Sequence, residues 1–132
     1  MRSAHGIAAA SVGALLAAAA PCTGAAESTH LFVTTYPLGE GEEGKLLTLK
    51  LDQAALENVA ESDACGPYPS WLTQDGDTLY CVDEAWGAEE GAFAALQIGG
   101  DSTLSLLGGA KTIAGPVAAV VYGDGKGLAL AE

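Results

Sequence analysis

Cationic side chains are scarce in this chain of 132 residues: five lysines and arginines stand against 17 acids, for a formal net charge of −12. Beyond Arg2 there is no arginine, and the remaining basic residues are Lys45, Lys50, Lys111 and Lys126. Affinity for a phosphate backbone comes from Lys and Arg, so nucleic acid is not an expected partner, and an anionic membrane surface is disfavoured for the same reason. Histidine is nearly as rare, with His30 alone beyond the first 26 residues. Long apolar runs are missing too. The longest, Ile7 to Ala20, falls short of the ~20 residues that a helix needs to cross a ~30 Å hydrocarbon core.

The first 26 residues differ from the rest: 11 of them are alanine, and all eight aromatics lie downstream. Arg2, the run from Ile7 to Ala20 and the small residues Thr23-Gly24-Ala25-Ala26 follow the charged, apolar and small-residue zones of a secretory signal. Residues 1–26 are therefore expected to be a signal peptide of a secreted protein, with an uncleaved anchor as the alternative, and residues 27–132 hold whatever core the chain builds. Without Cys22, two cysteines remain, Cys65 and Cys81. An even count in an oxidising compartment favours a disulfide between them; two separate buried thiols are the other reading. Two cysteines and His30 are too few ligands, without paired spacing, for zinc.

Past residue 27 the pattern is one of short strands and turns. His30 to Tyr36 is rich in β-branched and aromatic residues, and Lys45 to Leu51 alternates Leu47, Leu49 and Leu51 against Thr48 and Lys50. Further strands are expected over 56–60, 70–73, 78–83, 92–98, 103–107, 117–122 and 128–131, with Asp75-Gly76 and Asp124-Gly125 as hairpin turns. Only the alanine-rich 52–60 segment competes as a short helix. Gly66-Pro67, Asp75-Gly76 and Leu79 recur at Gly115-Pro116, Asp124-Gly125 and Leu128, an offset of 49 in each case. The strand pair 44–51 and 91–98 matches only approximately. Four short strands per ~45–50 residues is the spacing of a propeller blade. The expected fold class is all-β: an incomplete β-propeller of about two four-stranded antiparallel blades, with 27–64 an incomplete blade, 65–114 a full one and 115–132 the start of the next. Such a chain leaves open sheet edges through which it can self-associate.

Several constellations have plain structural readings. Gly39-Glu40-Gly41-Glu42-Glu43-Gly44 spells a dinucleotide fingerprint, but a strand pattern follows it where a helix N-terminus is needed, and its glutamates repel a pyrophosphate. No cofactor is expected. Asp75-Gly76-Asp77 lacks the further oxygen ligands of a calcium loop. The acid pairs Glu42-Glu43 and Glu89-Glu90 read as solvated surface, leaving Asp83-Glu84 as the one pair at a strand end where a site can form. Neighbours on a strand point to opposite faces, so adjacency alone does not make an acid/base couple. His30 has no nucleophile-and-acid context, and Trp71 and Trp86, which could stack on a sugar, read first as core or inter-blade packing.

The run from Cys65-Gly66-Pro67-Tyr68-Pro69-Ser70-Trp71-Leu72 to Leu79-Tyr80-Cys81-Val82-Asp83-Glu84 resembles a blade of the seven-bladed propeller lactonase family, in its secreted fungal branch of 6-phosphogluconolactonase-like and carboxy-muconate cyclase-like proteins. The 115–132 run resembles the start of the next blade, and His30-Leu31-Phe32-Val33-Thr34-Thr35-Tyr36 the opening strand. The resemblance implies lactone hydrolysis or muconate lactonisation on a small lactone or carboxylate. Such anions call for bidentate arginines, which this body lacks, and the family's catalytic His, Arg and Glu belong to later blades. No catalytic, cofactor-binding or metal residue is carried over; this stretch by itself is expected to be inactive. The alternative is a small secreted acidic β-rich binding module without catalysis.

Overall fold

A computed structural model describes residues 29–52, 55–85 and 90–131. The expected signal peptide, and Trp86 and Glu89, lie outside the described residues. The described chain forms strands β1 (Thr29–Thr34), β2 (Leu46–Asp52), β3 (Ala55–Ser62), β4 (Pro69–Asp75), β5 (Thr78–Asp83), β6 (Ala92–Ile98), β7 (Leu104–Lys111), β8 (Ala118–Tyr122) and β9 (Gly127–Ala131). They pair antiparallel with their sequence neighbours in three sheets, β1-β2-β3, β4-β5-β6-β7 and β8-β9. Every strand expected from the sequence is present. The alanine-rich segment that competed as a helix is β3, because pairing with β2 (Leu51 opposite Leu56) satisfies its backbone. No described helix is long and apolar enough to cross a membrane.

The core lies between the first two sheets. Leu46 from β2 meets Leu79 and Cys81 from β5 and Ala94 and Leu96 from β6, all buried, with Phe32, Leu72, Ile98 and Leu104 packed around them. The alternation in β2 points opposite to its leucine pattern. Leu46 and Thr48 face the second sheet and are buried, whereas Leu47, Leu49 and Leu51 share the outer face with Leu31 and Val33, their neighbours across the β1–β2 ladder. A blade packed on both sides is apolar on both faces, so alternation alone does not say which face meets the next sheet.

Cys65 and Cys81 form a disulfide, with Cα atoms 5.6 Å apart, inside this core. The bond closes the chain across a separation of 16 residues, for which loop entropy gives about 3 kcal/mol.

The second interface is built differently. Ala119 of β8 is buried, and its carbonyl accepts from Thr73 Oγ1 at 2.7 Å and from Trp71 Nε1 at 3.1 Å. Trp71 thus ties sheets together, as its packing role anticipates. Gly44 sits against Pro69, and Gly91 against Pro116, each so closely that a Cβ has no room. Pro116 is therefore the counterpart of Pro69, not of Pro67, and the two extra residues that restore the offset of 49 lie in the β8–β9 turn, where four residues separate Tyr122 from Gly127 against two between Asp75 and Thr78.

Candidate functional site

Connections β1–β2, β3–β4, β5–β6 and β7–β8 gather at one end of the sheets. Backbone bonds knit them: Gly44 N–H donates to Pro67 O at 2.8 Å, Glu84 N–H to Tyr68 O at 3.0 Å, and Gly91 N–H to Ala114 O at 3.3 Å. Loops held on a rigid strand scaffold are where sites form. Tyr36, just past β1, and Tyr68, just before β4, approach with ring centroids 6.1 Å apart and planes tilted by 57°. They open onto a cleft of about 440 Å³, completed by Pro37, Leu38, Gly39 and Glu40.

Asp83 closes β5 beneath this end and is nearly fully buried. Its Oδ1 accepts from the backbone N–H of Tyr68 at 3.2 Å and of Ala85 at 3.0 Å. It thereby fixes the β3–β4 connection to the end of β5. Gly66 (φ +77°) makes room for it, since a Cβ there would collide with the Asp83 carboxylate. Partial burial, and then the negative charge of Glu84, push the Tyr36 hydroxyl above the usual phenol range, with smaller contributions from Tyr68 and Asp83.

The other singled-out residues are dispersed. The Gly39 to Gly44 segment is a loop leading into β2, closed by Glu42 Oε2, which accepts from Leu38 N–H at 3.3 Å and Gly39 N–H at 3.2 Å. Glu90 pairs with Lys111 at 2.8 Å, lowering the acid and raising the lysine. Asp75-Gly76-Asp77 is the β4–β5 hairpin at the opposite end, where Asp77 O accepts from Ile98 N–H at 2.7 Å and Gln97 Nε2 at 2.9 Å. His30 lies on β1 opposite Lys50, towards that same far end. No group of three or more His, Cys, Asp or Glu among the described residues has metal-binding geometry. The tyrosine pair escaped the sequence pattern because 32 positions separate Tyr36 from Tyr68 in the chain.

A family model described as "Lactonase, 7-bladed beta-propeller" matches residues 30–132. The chain belongs to the seven-bladed β-propeller lactonase family. Comparison with curated proteins and with solved structures found no significant match. In this lactonase-family chain the described residues form sheets of three, four and two strands, and the four-stranded one has the strand number of a propeller blade. The loop end described above is built around acids and tyrosines, and its lysines Lys45 and Lys111 are paired to Asp63 and Glu90.

Proposed function

We propose that residues 27–132 supply opening blades of a secreted lactonase-type propeller, whose family reaction is lactone hydrolysis of the 6-phosphogluconolactonase kind or muconate lactonisation, and that this stretch alone is inactive. The observation that carries it is the absence of arginine from residues 27–132, together with a loop end whose carboxylates repel an anionic substrate. Removal of residues 1–26 and passage through an oxidising compartment fit the Cys65–Cys81 bond. Self-association is supported by apolar side chains exposed on both outer faces, Leu31, Val33 and Leu56 on the first sheet and Val120 and Tyr122 on the last.

Two measurements on purified residues 27–132 test this. Incubation with a phosphosugar lactone and with a muconate should give no turnover above the uncatalysed rate; turnover that saturates and disappears on denaturation overturns the inactive reading. Light scattering across a hundredfold dilution should show association that varies with concentration. A monomer at every concentration with one sharp melting transition reassigns the chain to a self-standing acidic binding module.

A further inference from the structure

Three of the backbone donors lining the Tyr36–Tyr68 cleft, those of Leu38, Gly39 and Tyr68, already face carboxylates of the chain itself, and two at its margin are bonded to carbonyls. Leu38 and Gly39 N–H donate to Glu42 Oε2, Tyr68 N–H to Asp83 Oδ1, Gly44 N–H to Pro67 O, and Glu84 N–H to Tyr68 O. Lys45 is held by Asp63. The cleft is lined by the two tyrosine rings, Pro37, Leu38 and the acid Glu40, and the charge of Glu84 reaches the Tyr36 hydroxyl from outside the lining.

We propose that this cleft binds an organic ammonium group, a quaternary or methylated amine, between the rings of Tyr36 and Tyr68. An aromatic ring presents a negative face to a cation, and two rings inclined at 57° form adjoining walls around a rounded group better than the flat platform that a sugar ring stacks on. Tyr36 is 39% exposed, so the cleft is reachable from solvent. Glu40 and Glu84 supply the countercharge, and the net charge of −12 draws cations towards the chain. Methyl groups on the nitrogen shed water at little cost, which suits a lining that includes Pro37 and Leu38. The inference goes beyond the family reaction and does not depend on whether the chain is catalytic.

The test titrates the full chain with choline and, separately, with 3,3-dimethyl-1-butanol, its uncharged isostere, following the tyrosine ring resonances by NMR. Choline should shift the Tyr36 and Tyr68 signals and bind about tenfold more tightly than the isostere. Tyr36→Leu and Tyr68→Leu should each weaken choline about fivefold, with Tyr36→Phe retaining binding, because the ring face and not the hydroxyl is used. Glu84→Gln should weaken choline and leave the isostere unchanged. Equal binding of choline and isostere, absence of choline binding, or tighter binding of glucose or gluconate than of choline overturns the proposal. The isostere comparison uses the unaltered chain, so it decides the matter even where a tyrosine variant fails to fold.

Discussion

The two interfaces between the three sheets solve one packing problem with different chemistry. Between the first and second sheets, Leu46, Leu79 and Leu96 interlock beside the Cys65–Cys81 bond, and shape and covalent closure hold the pair. Between the second and third, the facing strand β8 is short and alanine-rich, and one carbonyl, that of Ala119, accepts from both Thr73 and Trp71. A leucine core draws its stability from area removed from water, at about 25 cal/mol per Å². A shared carbonyl contributes orientation and roughly 1 kcal/mol per bond. The first interface should therefore behave as the stable unit and the second as the part that opens first.

That contrast can be broken from either side. Leu46→Ala leaves a cavity in the first interface and should cost about 2–5 kcal/mol, read as a lower urea midpoint with faster amide exchange in β1 to β6. Joint replacement of Cys65 and Cys81 by serine should cost about 3 kcal/mol in the same measurement; no loss would remove the disulfide from the account of this interface. Gly66→Ala should cost ~1–3 kcal/mol, because the residue holds φ +77° and its new methyl meets Asp83. At the second interface, Thr73→Val should cost about 1 kcal/mol, with faster exchange confined to β8 and β9. Spread of that effect into β1 to β3 would mean that the interfaces are coupled.

The smallest effect is electrostatic and lies at the exposed rim of the first interface. The Thr103 hydroxyl and, next, its N–H hold the Asp101 carboxyl below the usual aspartate range. A depressed folded-state pKa means that the contribution is full above the unfolded range and is lost as pH falls through the folded value. Carboxyl NMR titration should show Asp101 titrating low, and Thr103→Ala should return it towards the ordinary range.

Much of the fold was legible because strand, turn and repeat are local patterns. Thr78 to Asp83 and Ala92 to Ile98 were readable to the residue, since alternation and the Asp75-Gly76 turn bound them. The burying face of β2 was not, because Leu47, Leu49 and Leu51 make the more conspicuous stripe while Leu46 and Thr48 face the neighbour sheet. The Gly-Pro repeat misled by two residues, because two prolines at 67 and 69 compete for one match and only packing against Gly44 and Gly91 decides between them. At the loop end, Asp83 was visible as a strand-end acid, but its task of holding Tyr68 N–H and Ala85 N–H depends on a neighbour 15 positions away.

By itself the sequence determined the scarcity of cations, the nine strands and the family resemblance, because charge, alternation and turn chemistry are properties of residues and their near neighbours. Only the tertiary structure decided which faces are buried, that Cys65 meets Cys81, and that Tyr36 and Tyr68 share a cleft. Those are contacts between segments far apart in the chain, fixed by how sheets stack and not by the order in which their residues are written.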